Sequence, residues 1–130
     1  MKLPGWESKL YTYLENSKGV QFAWGENDCC LWVARFVDQS CGTSYEKMFE
    51  GKYNTCTGAY AFMRDKGFEN TADVADAHFH SIPITFAARG DLVLHPQGAL
   101  GICAGRRSFF LKEEGLIELE TLQCQKAWEI

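Results

Sequence analysis

The sequence predicts an α+β domain, with helices in its first half, an antiparallel sheet in its second, and one helix buried between them. Three observations lead there. Apolar residues recur at helical spacing up to about residue 79, and from Ile82 onward they give way to short apolar runs separated by turns. The segment from Cys29 to Gln39 is apolar around most of its circumference, as a central helix is. The 130 residues show no internal repeat, linker or low-complexity stretch, so residues 1–130 read as one domain.

The first helix is expected from Trp6 to Asn16, with Leu10, Tyr13 and Leu14 on one face and Ser17-Lys18-Gly19 ending it. Phe22-Ala23-Trp24-Gly25-Glu26-Asn27-Asp28 is a turn, in which Asn27 or Asp28 can cap the next helix. That central helix carries Cys29, Trp32, Val33 and Phe36 as its stripe, widened by Cys30, Ala34 and Val37, and stops at Ser40-Cys41-Gly42-Thr43. Shorter helices are expected at Ser44 to Phe49, at Thr57 to Lys66 with Gly67 as C-cap, and, weakest, at Val74 to Phe79, opened by Thr71 or Asp73. The strands follow as Leu92-Val93-Leu94, Ala99 to Ala104, Ser108 to Lys112, Leu116 to Leu119 and Lys126 to Ile130. Turns every six to ten residues between them give an antiparallel meander.

Composition bounds the function. Net charge is −4 and the densest basic spot is Arg106-Arg107, too little for binding along a nucleic-acid backbone. No apolar run approaches the roughly 18 to 20 residues that span a bilayer. The start, Met1-Lys2-Leu3-Pro4-Gly5-Trp6, has no apolar stretch of signal-peptide length, so the chain is expected to be made in a cytoplasm. There, the cysteines at 29, 30, 41, 56, 103 and 124 are expected to be mostly reduced. No Cys-x-x-Cys pair occurs, and His78 with His80 is the only close histidine pair, so neither a metal nor another cofactor is expected.

One feature carries chemistry. A turn containing Trp24-Gly25 and Asp28 delivers Cys29 onto the first turn of the central helix. A helix N-terminus lowers a thiol's pKa through its partial positive charge, and its free N–H groups can serve an oxyanion. Structural thiols also occupy helix starts, so the residue type alone leaves both roles open.

The order of motifs resembles the NlpC-type branch of the papain-like cysteine peptidases, which cleave cell-wall peptides. Trp24-Gly25 and Asp28-Cys29 match that family's turn and nucleophile. Arg89-Gly90-Asp91-Leu92-Val93 matches its Arg-Gly-Asp-Leu-Val, and Ala99-Leu100-Gly101-Ile102-Cys103-Ala104-Gly105 its His-Val-Gly-Ile-x-x-Gly. The resemblance implies a papain-like fold with Cys29 as nucleophile, and it places Ala99 where the family has its catalytic histidine. Alanine cannot take a proton from the thiol or give one to a leaving amine.

The segment from Glu46 to Gly67 and the late Ala127-Trp128 resemble instead a smaller group of phage and prophage tail-region proteins with no assigned activity. Three readings of function follow. One is a non-catalytic tail-associated protein, made in the cytoplasm, then part of the virion, with other tail proteins as partners. Another is an active cysteine hydrolase on cell-wall peptides, with His95, four residues before Ala99, as replacement base. A host-directed cytoplasmic binding protein is a third. His78 and His80 read as surface or half-buried residues, Trp24 as core, and Asp91 as holding its own turn through its side chain.

Overall fold

The computed structural model describes residues 2–130 and shows five helices followed by a six-stranded antiparallel sheet. The helices are α1 (Trp6–Ser17), α2 (Cys29–Cys41), α3 (Glu46–Phe49), α4 (Cys56–Asp65) and α5 (Thr71–His78). The strands are β1 (His80–Ile82), β2 (Leu92–Leu94), β3 (Leu100–Cys103), β4 (Arg107–Lys112), β5 (Gly115–Glu120) and β6 (Lys126–Glu129).

Helix α2 starts at the cap Asp28 and stops at Gly42, whose left-handed backbone (φ 71°) turns its N–H onto the Asp38 carbonyl at 2.9 Å. Between these ends Trp32, Val33, Phe36 and Val37 are buried against the sheet and α1. The expected stripe leaves out Leu31, which is fully buried on the opposite side with Phe49, Met63 and Val74 from α3, α4 and α5. Two clusters therefore meet across α2, which is why almost its whole circumference is apolar.

Polar side chains lock α2 to its neighbours. The Trp32 indole donates to Ser17 Oγ (2.8 Å), Ser17 Oγ donates to the Tyr13 carbonyl (2.6 Å), and the Tyr13 hydroxyl donates to the Trp32 carbonyl (2.5 Å). On the far side the Asp38 carboxylate accepts from the Tyr45 and Glu46 N–H groups (2.8 and 3.0 Å) and so starts α3.

Two expectations need correction. Helix α5 begins at Thr71 rather than Val74 and is capped by Asn70, which accepts from the Asp73 N–H at 2.9 Å. The sheet is not a simple meander: its order is β1-β6-β2-β3-β4-β5, so the last strand inserts between β1 and β2. The reason lies in Trp128, which pairs with Ser81 on one side and Leu92 on the other. It is fully buried, and its indole N–H reaches the Asp76 carboxylate of α5 at 2.8 Å.

Both faces of the sheet are covered. Leu92, Leu100, Ile102, Leu111 and Trp128 face the helices. Val93, Cys103, Phe110 and Ala127 face the other way, beneath Ile84, Ala87 and Cys124 from the connections between strands. This double burial explains why β2 reads as continuous rather than alternating apolar sequence.

Gly101 is required by that second face. A Cβ there would lie 2.2 Å from the Phe110 ring and 2.5 Å from the Phe109 carbonyl. Gly101→Ala is expected to destabilise the domain by about 1–3 kcal/mol through overpacking, read as a lower urea midpoint. Gly19→Ala, where a Cβ meets nothing within 4 Å, is the control and is expected to stay within about 0.5 kcal/mol of wild type. Equal midpoints for the two variants would contradict this packing of β3 on β4.

Candidate functional site

The turn before α2 is held by one carboxylate. Asp28 is buried, with 1% of its surface exposed; its Oδ1 accepts from the Leu31 N–H (2.9 Å) and its Oδ2 from the Gly25 N–H (3.0 Å). Gly25 has φ 82°, and a Cβ on it would lie 1.9 Å from the Tyr53 carbonyl oxygen, so only glycine lets the 51–55 loop close over the turn. The Gly51 N–H completes that closure by donating to the Gly25 carbonyl at 3.1 Å. The Tyr53 hydroxyl is brought to Asp28; burial first, and then that carboxylate, raise its pKa above the ordinary phenol value.

Cys29 and Cys30, both half-buried, open α2 into a cleft of about 200 Å³ between the helix start, α4 and the β4–β5 hairpin. Cys29 is held below the ordinary thiol pKa. The Cys30 thiol beside it is the largest cause, the backbone N–H groups of Leu100 and Cys30 add to it, and burial and the Asp28 charge oppose it. Cys30 is pushed well above the ordinary value by its hydrogen bond to Cys29, by burial and by the Cys29 and Asp28 charges. The pair therefore favours ionisation at Cys29 over Cys30.

A third thiol faces the same cleft. Cys56 is exposed and is the first residue of α4, whose cap Thr55 accepts from the Gly58 N–H at 3.0 Å. Sequence reasoning placed this helix start one residue late and passed over the cysteine, although Thr55-Cys56 repeats the cap-then-cysteine pattern of Asp28-Cys29. The Tyr60 hydroxyl has its pKa raised by burial first and then by Cys56, Cys29 and Cys30. All six cysteines are free thiols.

None of the three histidines lines this cleft. His95, the candidate base, sits at the turn before β3 with its ring edge-on to Phe110 (5.1 Å between centroids), on the sheet face away from α2. Its Nδ1 already accepts the Gln97 N–H at 3.0 Å, and burial first, then Lys112, lower its pKa. The structure therefore does not bring His95 to Cys29. His78 ends α5 with its Nδ1 on the Val74 carbonyl (2.9 Å), and His80 opens β1. Both lie beside Cys41, at the opposite end of α2.

Ala99 lines the cleft at the entry to β3, while its methyl packs with the cluster on the far face. The group that β3 turns toward the Cys29 sulfur is the Leu100 N–H. Asp91 holds its turn as expected, accepting the Ala88 N–H at 2.9 Å. Among the described residues, no group of three or more His, Cys, Asp or Glu side chains is placed to hold a metal ion, and no helix is long and apolar enough to cross a membrane.

Fold and site together define an α+β domain with a thiol-lined cleft at the start of its central helix. The chain belongs to the family described as a domain of unknown function, DUF6950, whose model matches residues 1–130. No curated protein matches it.

Alkylation of Cys29 followed against pH is expected to show a midpoint below the value of about 8.5 of a free cysteine. Cys30→Ala is expected to move that midpoint upward, because the main group stabilising the thiolate is lost. A midpoint unchanged by Cys30→Ala would contradict the Cys30 thiol as the main cause of the lowered pKa.

Proposed function

We propose that this chain is a phage or prophage tail-associated protein that uses an NlpC-type papain-like domain as an assembly or binding scaffold and does not hydrolyse peptides. The papain-like assignment is supported by a buried helix headed by Asp28-Cys29 and packed on an antiparallel sheet. It is supported also by the Arg89-Gly90-Asp91 turn that leads into β2 and by Gly101-Ile102 in β3, residues that carry the motif resemblance. The phage assignment is supported by the resemblance through residues 46–67 and Ala127-Trp128.

The observation that carries the non-catalytic reading is that no imidazole lines the cleft, which has Ala99 at the family's histidine position. Amide hydrolysis needs a base within about 2.6 to 3.2 Å of the thiol, and then an acid to protonate the leaving amine. Lowering the Cys29 pKa supplies a thiolate and does nothing for the amine. On this reading the protein is made in the cytoplasm, becomes part of the virion and has other tail proteins as its partners. The lowered Cys29 pKa favours the competing reading, a cysteine hydrolase acting on cell-wall peptides.

A peptidoglycan digestion assay separates the two. The expected result is no release of peptides above background by the wild-type protein, together with particle assembly that fails on deletion of the chain and survives Cys29→Ser. Digestion abolished by both Cys29→Ser and His95→Ala would overturn the non-catalytic reading and make His95 the base. Digestion lost only in Cys29→Ser would overturn it in favour of another base.

A further inference from the structure

Three thiols in one cleft call for an account that amide chemistry does not give. Cys29 and Cys56 each occupy the first position of a helix, α2 of 13 residues and α4 of 10, and both helix starts open onto the same cavity. Tyr60 stands close enough to feel all three sulfurs. The remaining cysteines are elsewhere: Cys103 and Cys124 are buried under the far face of the sheet, and Cys41 lies at the other end of α2.

Chemistry narrows what this arrangement can do. With no imidazole in the cleft to hand a proton to the leaving group, the Cys29 thiolate displaces most readily groups that leave without being protonated. An amine does not leave in that way, whereas a thiolate does, because its pKa is close to that of the attacking thiol. The matching electrophile is a disulfide. Cys30 cannot then resolve the adduct. Adjacent Cα atoms are about 3.8 Å apart, short of the roughly 4.4–6.8 Å that disulfides span, and both residues are held in the first turn of α2.

Size and charge limit the partner further. The cavity of about 200 Å³ has room for the few heavy atoms of a small half-disulfide, given that one water claims about 30 Å³. Its rim carries Glu113 and Glu114, with Asp28 behind the thiols, and the one cation there, Lys112, is engaged with the Gln97 side chain. An electrophile bearing ammonium groups suits that rim.

We propose that Cys29 is a thiol–disulfide exchange site that captures a small cationic disulfide in the cleft as a lasting mixed disulfide. This rests on the non-hydrolytic reading of the same cleft. The Cys29 thiolate attacks one sulfur of R–S–S–R, and the new S–S bond forms as the old one breaks. The departing R–S⁻ carries away the electron pair and takes a proton from water. The Cys29 sulfur is oxidised and the departing sulfur reduced.

The test treats the reduced full chain with cystamine near neutral pH, quenches with acid and maps the adducts by peptide mass. The expected result is Cys29 modified about tenfold faster than the more exposed Cys56. Cystamine is expected to outrun oxidised glutathione at Cys29 and not at Cys56. In Cys30→Ala the Cys29 advantage is expected to be lost. The wild-type pH–rate profile serves as a check that needs no variant, and its midpoint is expected to lie below that of a free cysteine. Equal or faster reaction at Cys56, or an intramolecular disulfide involving Cys29 as the main product, would overturn the proposal. Peptide release from peptidoglycan by the same preparation would instead overturn the non-hydrolytic reading, leaving the Cys29 to Cys56 rate ratio to judge the exchange site.

Discussion

The buried Asp28 carboxylate is the group on which the site depends. A carboxylate with 1% exposure is tolerable only if its lone pairs are satisfied, and here the Leu31 and Gly25 N–H groups do so. One side chain thus caps α2, closes the Trp24-Gly25 turn and anchors the 51–55 loop. Capping alone is worth about 1 kcal/mol. The larger consequence is positional, since α2 begins at one residue and in one direction, with Cys29 directed into the cleft. The same carboxylate opposes ionisation of both cysteines, and at Cys29 the Cys30 thiol and two backbone N–H groups outweigh it together with burial.

The rest of the fold supplies the walls. Helix α2 is gripped on one side by α1 and the sheet and on the other by α3, α4 and α5, which fixes the Cys29 end relative to β3. Strand β6 inserts between β1 and β2 and ties the end of the chain to α5 through Trp128 and Asp76. Gly101 leaves room for the Phe110 ring on the far face, and that ring in turn seats His95 away from the helix. The packing that builds the sheet is therefore also what keeps an imidazole out of the cleft.

Much of this is legible in the sequence because local rules decide it. The heptad-like apolar stripe of α1, the cap-and-stripe pattern at Asp28 to Val37 and the turn glycines at 42, 67 and 90 each act within a few residues. Long-range pairing is where such reading fails. Nothing local says that Lys126–Glu129 will enter the sheet beside Leu92–Leu94, because the partner lies more than thirty residues away. Asn70 was missed as a cap because Thr71 and Asp73 offer equally good local candidates. Cys56 was missed because its importance comes only from the cleft that α4 and α2 share. His95 drew attention by closeness in sequence to Ala99, yet a single turn carried it to the opposite face.

The central claim is that the Cys29 thiolate has no imidazole partner, and proton titration of the histidine rings by NMR tests it most directly. The ring signals of His78, His80 and His95 would be followed against pH in the wild-type protein and in Cys29→Ser. The account predicts that the three titration curves superimpose between the two proteins. A thiolate paired with an imidazolium raises that histidine's pKa, so one histidine whose pKa falls when the sulfur is removed would contradict the account.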